Sequence, residues 1–325
     1  MMQIVAVDLG GTHARFSIAD LHHDRRPALG EARKYKTADF PDFPSAWAAF
    51  AHDSGVKLPS AASIAIAGPV EGELIHFTNN PWVIRPKTLA AELGVEQLVL
   101  INDFAAMAAA VGRLHEDELI HLGGPEGAMP ESGVVTIAGP GTGLGVAQLL
   151  RYRGRNIVLP TEGGHLDFAP LDGFEEHMLQ RLRQRHVRVS TERIASGPGL
   201  HNIYEAMAAS TGEAIVPLDD PALWQAAIDG SNRLAASALD RFVMAFGSIV
   251  GDLALGHGSN AVVITGGLAN RIRERLAGPL FRDRFCAKGR HASRMANFPI
   301  RLAVHSDPGL LGAAAAFQEE KYPWT

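Results

Sequence analysis

A single cysteine, Cys286, among 325 residues leaves no internal disulfide and no multi-thiolate metal site to consider. That scarcity fits a reducing compartment, and Cys286 itself reads as a small apolar residue. Gly-Lys-Ser/Thr does not occur, so there is no P-loop, and the glycines from Gly139 to Gly145 do not have the Gly-x-Gly-x-x-Gly spacing of a dinucleotide fold. His-Glu-x-x-His and Gly-x-Ser-x-Gly are missing too, which removes a zinc hydrolase helix and a nucleophile elbow. Lys and Arg are scattered and the net charge is -5, so neither nucleic acid nor an anionic membrane finds a basic patch. No signal-peptide core develops before Asp8, and no stretch is expected to approach the length that crosses a bilayer. A cytoplasmic protein with a small polar ligand is the expectation.

What the chain does have is the same glycine turn twice. Val5-Ala-Val-Asp8-Leu-Gly10-Gly11-Thr12-His-Ala-Arg15-Phe and Val135-Thr-Ile-Ala138-Gly139-Pro140-Gly141-Thr142-Gly143-Leu-Gly145-Val each read as strand, tight turn, strand. A lone Gly-Gly or Gly-Thr turn is ordinary hairpin chemistry. Two copies in like contexts predict a clamp, because glycine lets main-chain N–H groups approach an anion as a concave nest. Only the first copy carries an acid, Asp8, where the second has Ala138; the first can therefore help hold a metal while the second cradles phosphate oxygens.

Length and a 46% hydrophobic share predict two domains with separate cores. In the first half, Ala61–Ala67 and Gln97–Ile101 read as buried strands, with helices near 44–53 and 86–93. From residue 133 come strands at 133–138, 143–151 and 155–159, then helices near 173–186, 199–210, 219–229 and 231–255. In the last helix Leu239, Phe242, Val243, Phe246, Ile249, Val250 and Leu253 recur at three- and four-residue steps, a core stripe. Ala261–Thr265 is another strand, followed by Gly266-Gly267 and a basic helix; Ile300–Val304 leads to a small-residue helix, Leu310–Phe317. The boundary is expected near 110–133, where Gly123-Gly124-Pro125 and Pro130 interrupt the pattern.

Asn102-Asp103 falls at the carboxyl end of a strand, the edge where open α/β sheets bind ligands. Asp103 is equally placed to cap the following helix, and the two roles can coexist; a carboxylate here can take the proton of an attacking hydroxyl. Glu162-Gly163-Gly164-His165 puts an acid and an imidazole on an irregular segment that either contacts a polyol or is merely solvated. Glu192, taken alone, reads as an exposed ion pair with Arg193. His22-His23-Asp-Arg-Arg26 reads as a solvated hairpin tip.

Asp8-Leu-Gly10-Gly11-Thr12-His-Ala-Arg15, Thr78-Asn79-Asn80-Pro-Trp82, Ile101-Asn102-Asp103-Phe104, Gly141-Thr142-Gly143-Leu-Gly145-Val, Glu162-Gly-Gly-His165-Leu-Asp-Phe-Ala-Pro170, Glu192-Arg-Ile-Ala-Ser-Gly-Pro-Gly199-Leu and Pro308-Gly-Leu-Leu-Gly312 together closely resemble the bacterial glucokinase family, in its order and over nearly the whole chain. The resemblance implies an α/β, two-domain actin-like (ribonuclease H-like, hexokinase-type) fold with an interdomain cleft. It implies domains 1–112 plus 303–325 and 113–302, the C-terminal helix returning to the first. It implies glycolytic transfer of the ATP γ-phosphoryl group to the 6-hydroxyl of D-glucose, by a cytoplasmic homodimer. Asp103 then resembles the general base, and Asn79, Asn102, Glu162, His165 and Glu192 the rest of the sugar-binding set. Asp8, Gly10, Gly11, Thr12, Gly141, Thr142 and Gly143 resemble the phosphate loops, with Asp8 holding Mg²⁺ through water, and Gly266 and Gly267 resemble the adenosine motif.

His13 stands where the family usually has Asn, and Pro140 where a small flexible residue is common. The single cysteine separates the chain from related sugar kinases with a structural zinc. Two other functions share these motifs: a glucose-sensing protein without chemistry, and a kinase for mannose, fructose or glucosamine. A buried hydroxyl-reading site rejects an analogue lacking that hydroxyl by roughly 10⁴–10⁵-fold, which favours glucose as acceptor.

Overall fold

The computed structural model describes residues 2–23, 25–68, 70–77 and 80–321. The chain divides into two compact units, Met1–His115 with Asn156–Pro160 and His305–Thr325, and Glu116–Arg155 with Thr161–Val304.

The first unit opens with β1 (Met2–Leu9) and β2 (His13–Leu21), an antiparallel hairpin, continued by β3 (Ala28–Leu29) and β4 (Arg33–Lys36), both of which pair β2. After α1 (Phe43–Ser54), β5 (Ala61–Ile66) pairs β1 in parallel. The short hairpin β6 (Ile75–Phe77) and β7 (Asn80–Ile84) and helix α2 (Pro86–Leu93) precede β8 (Gln97–Asn102), which pairs β5 in parallel and runs into α3 (Asp103–Val111). The sheet order is β3-β2-β1-β5-β8. Every residue of β5 is buried, as a strand covered on both faces must be.

The second unit repeats that plan. β9 (Leu119–Gly123) is followed by the hairpin β10 (Gly133–Pro140) and β11 (Leu144–Tyr152); β12 (Arg155–Thr161) comes next in the chain, its residues Asn156–Pro160 counting with the first unit. Helices α4 (Gly173–Arg183), α5 (Gly199–Thr211), α6 (Asp220–Asp229) and α7 (Arg233–Gly256) lead to β13 (Ala261–Ile264), parallel to β10. Then come α8 (Gly267–Arg271), α9 (Arg273–Leu276), α10 (Pro279–Cys286), α11 (Ala292–Ala296) and β14 (Ile300–Ala303), parallel to β13. The order β11-β10-β13-β14 mirrors β2-β1-β5-β8, so the duplication read from the glycine turns extends to both sheets. The single basic helix expected after Gly267 is split into α8 and α9, because Ile272, at φ -107 and ψ 18, leaves helical geometry.

The expectation that no stretch reaches membrane-spanning length needs correcting. α7 has 24 residues and a window of mean hydropathy 1.4, enough by length and composition. Of that window 72% is buried within the protein, and Leu239, Phe242, Val243, Phe246, Ile249, Val250 and Leu253 all lie in the second unit's core. A helix apolar on most sides is what a core demands.

The last helix, α12 (Pro308–Lys321), belongs to the first unit. Alternation along β1 sends Val5, Val7 and Leu9 to a cluster with Phe16, Phe43, Trp47 and Phe50, and Ile4 and Ala6 to the opposite face with Ala106, Leu310, Ala313 and Phe317. Small residues on that second face let α12 lie against α3 backbone to backbone: a β-carbon at Gly312 would sit 1.8 Å from the Ala106 carbonyl oxygen. Buried Gln318 on α12 donates to the carbonyls of His22 and Arg25, so the segment read as a solvated hairpin tip has its backbone tied to this helix.

Candidate active site

Leu9 pairs Ala14, which leaves Gly10, Gly11, Thr12 and His13 as the first turn. The Gly10 N–H donates to His13 O at 2.9 Å, while Thr37 donates its N–H to Thr12 O (3.1 Å) and its hydroxyl to Gly11 O (2.9 Å). With those carbonyls engaged by Thr37, the turn is braced from one side and Thr12 stays exposed. The second turn is one residue shorter and also closed by its first N–H: Pro140 pairs Leu144, and Gly141 N–H donates to Gly143 O at 2.8 Å. Burial and the neighbouring charges of Lys34, Arg15 and Lys36 hold the His13 imidazole below its ordinary pKa.

Asp8, near the end of β1, accepts a hydrogen bond at 2.7 Å from Arg15, its cross-strand partner in the hairpin. Gly309, in the first turn of α12, faces the same carboxylate. Mg²⁺ in phosphate sites takes one or two carboxylates plus substrate oxygens, and a single half-buried acid beside a glycine turn fits that donor set. Among the described residues no group of three His, Cys, Asp or Glu side chains forms a self-sufficient metal cage.

Two strands away on the same carboxyl edge, Ile66 pairs Asn102. The cap of α3 is Asn102, not Asp103: Asn102 Oδ1 accepts from Phe104 N–H (2.9 Å) and Ala105 N–H (3.1 Å), and its Nδ2 donates to Gly68 O (3.1 Å). Asp103 is thereby the first helical residue, its Oδ1 accepting from Phe104 N–H at 2.8 Å. Burial pushes its carboxyl up to about 6, the Asp8 charge adding to the rise and the Phe104 N–H opposing it. A base of that pKa is mostly ionised at neutral pH yet still able to take a proton.

In the second unit, Glu162 precedes and His165 closes the 3₁₀ turn Gly163–His165, both well exposed, with His165 Nε2 and Glu162 Oε2 3.8 Å apart. Glu192 does not form the ion pair with Arg193 that its neighbourhood suggests. Its Oε2 accepts from Leu144 N–H at 2.9 Å, and a β-carbon at Gly143 would lie 2.2 Å from that oxygen. Gly164 is equally constrained, 2.1 Å from the Leu144 carbonyl oxygen by the same construction. Gly266 follows β13 with φ +102, a value that only glycine adopts freely, and Asn270 donates to its carbonyl.

The first unit therefore brings together Asp8, Gly10, Gly11, Thr12, Asn102 and Asp103, and the second brings together Gly141, Thr142, Gly143, Glu162, His165, Glu192, Gly266 and Gly267. Asn79 lies outside the described residues. Sequence reasoning gave no role to Arg15, Thr37, Thr191 or Gly309. Hairpin register would have found Arg15, since a turn closing on Leu9 and Ala14 sets Asp8 against it. The others depend on contacts between distant segments and leave no local signal.

A family model described as Glucokinase matches residues 5–320. A glucokinase of Zymomonas mobilis is 54% identical over 316 residues, covering 97% of this chain and 98% of its own. The crystal structure of a glucokinase from an Antarctic psychrotroph matches with a TM-score of 0.86 and 31% identity, covering 97% of this chain and 98% of its own. A ROK family glucokinase from Streptomyces griseus, solved in complex with glucose and AMPPNP, shares the fold at a TM-score of 0.60 and 19% identity, over 97% of this chain and 98% of its own. The fold is thus that of the two-domain actin-like ATPases. Matched by the family model and by a majority-identical relative across nearly its whole length, the chain belongs to the glucokinase family of sugar-phosphorylating transferases.

Proposed function

We propose that the protein transfers the γ-phosphoryl group of ATP to the 6-hydroxyl of D-glucose with Asp103 as general base. The observation that carries this reading is the placement of Asp103 at the carboxyl edge of β8, its carboxyl raised to about 6 by burial. The glucose 6-oxygen attacks the γ-phosphorus, the bond to the β,γ-bridging oxygen breaks, ADP leaves, and the hydroxyl proton passes to Asp103. Asn79, Asn102, Glu162, His165 and Glu192 pair the remaining hydroxyls, each a fixed partner for a group that burial would otherwise leave unmatched. Asn102 has its Oδ1 committed to capping, so its contribution to the sugar is the free N–H of its amide.

In this reading the turns Gly10–Thr12 and Gly141–Gly143 receive the phosphates and Gly266-Gly267 the adenosine; ATP as the donor is supported by the AMPPNP complex of the Streptomyces griseus protein. Mg²⁺, held by Asp8 through water, would neutralise charge on the transferring group. The family resemblance extends the reading to a cytoplasmic homodimer acting in glycolysis, and light scattering on the purified protein checks the assembly.

A coupled assay of glucose 6-phosphate formation tests the activity directly. Asp103→Asn is expected to keep glucose affinity and lose turnover; unimpaired kcat removes Asp103 from the role. Comparing kcat/KM for glucose, mannose, fructose and glucosamine tests the acceptor.

A further inference from the structure

The proposed sugar loop and the second glycine turn are gripped by one short segment, and the residue at its head has no assigned part in the reaction. Thr191 is nearly fully buried, and its hydroxyl donates to Gly164 O at 2.8 Å while its N–H donates to Leu166 O at 2.8 Å. The next residue, Glu192, accepts from Leu144 N–H, and a little further on Gly197 N–H donates to Gly141 O at 2.7 Å. Both ends of the glycine turn and the carbonyl between Glu162 and His165 thus hang on the stretch from Thr191 to Gly197. Gly164 already touches the Leu144 carbonyl, so neither loop can shift without the other.

We propose that Thr191 is a positioning residue through which glucose tightens nucleotide binding. The inference rests on the kinase reading above. Glu192 Oε2 is committed to Leu144 N–H, which leaves Oε1 without a hydrogen bond to any described residue and free for a sugar hydroxyl. A hydroxyl bound there fixes the carboxylate, and with it the amide at the end of the turn. Thr191 transmits the same ordering from the other side, because a sugar on Glu162 and His165 immobilises the loop whose Gly164 carbonyl its hydroxyl holds. The first ligand orders the shared body, the second finds it ordered, and linkage makes the benefit reciprocal.

Calorimetric titration of the whole protein with Mg²⁺–AMPPNP, without and with saturating glucose, tests this. In the wild type glucose is expected to tighten AMPPNP by about fivefold or more. Thr191→Val keeps the shape and removes the hydroxyl: the factor is expected to fall to within about twofold of unity, with glucose alone binding within about threefold of wild type. Thr191→Ser restores the donor and the coupling, which also shows that the site tolerates substitution. Full coupling in Thr191→Val, or its loss in Thr191→Ser to the same extent as in Thr191→Val, overturns the proposal. Wild-type protein that binds both ligands without coupling overturns the proposal alone; wild-type protein that binds no glucose overturns the kinase reading together with it.

Discussion

Gly309 and Asp8 are separated by three hundred positions in sequence and touch in the fold: a β-carbon built on Gly309 lies 2.5 Å from Asp8 Cγ and 2.7 Å from Oδ2. Gly309→Ala must therefore push the carboxylate off its place beside Arg15. Overpacking of this kind costs about 1–3 kcal/mol, which, if spent on the proposed phosphate side of the site, corresponds to a rise in KM for ATP of roughly 5- to 150-fold. KM for glucose is expected to stay within about twofold, since the added methyl meets the Asp8 carboxylate and none of the side chains proposed to pair the sugar hydroxyls. Steady-state kinetics with each substrate varied in turn separates the two.

Asp103→Asn should lower kcat by about 10²–10⁴-fold, the range of a lost general base. In the wild type, kcat/KM for glucose should fall as pH drops through about 6, because the base must be ionised, and that limb should vanish in the variant. Stability moves the other way. A carboxyl whose folded pKa lies above its ordinary 3.8 binds the proton better when folded, so its burden on stability grows from about pH 4 to pH 6 and persists above. Asp103→Asn relieves it, with a gain of up to about 3 kcal/mol at pH 7.5 that shrinks toward pH 4. Urea unfolding at the two pH values measures this.

Gly143→Ala drives a methyl into the Glu192 carboxylate and should raise KM for both substrates, since one contact serves the turn and the proposed sugar ligand together. Glu192→Ala removes the obstacle. The double variant should then be less impaired than the sum of the singles, by about 0.5–3 kcal/mol in a double-mutant cycle on kcat/KM.

His257, at the end of α7, meets the buried Thr136 hydroxyl at 2.8 Å, and Thr136 in turn meets Ser259 Oγ at 2.7 Å. Burial depresses the imidazole pKa below its ordinary 6.5. A histidine held neutral in the fold favours folding above that value and loses the advantage as pH falls and the unfolded chain takes up the proton. Wild-type Tm should therefore decline between pH 7.5 and pH 5.5 more steeply than that of His257→Gln, as followed by differential scanning calorimetry.

Much of this architecture could be read before any coordinates. Apart from Ser63, Ala61–Ile66 is apolar because both faces are covered, and the stripe on α7 is core. What could not be read turns on backbone angles or distant partners. Asn102 and Asp103 are equally good caps by chemistry, and only the extended Asn102 backbone, φ -61 and ψ 143, decides between them. Glu192 has an arginine beside it in sequence, but neighbours on a helical turn point apart, and its carboxylate reaches Leu144 instead. Gly309 shows only that something small is wanted; what it makes room for is written at position 8. Within the site, residue types came from the motifs, while the bracing by Thr37 and Thr191 came only from the fold.

The face of the first sheet formed by Ile4, Ala6, Ala65 and Val99 is covered by Leu310, Ala313, Ala314 and Phe317 of the final helix. On a ribosome those strands emerge about two hundred residues or more before their cover is translated. Until then an apolar surface stands bare, the kind of species that chaperones hold and proteases cut. A nascent chain arrested short of Pro308 should accordingly be caught as a client of the folding machinery rather than as a half-finished enzyme.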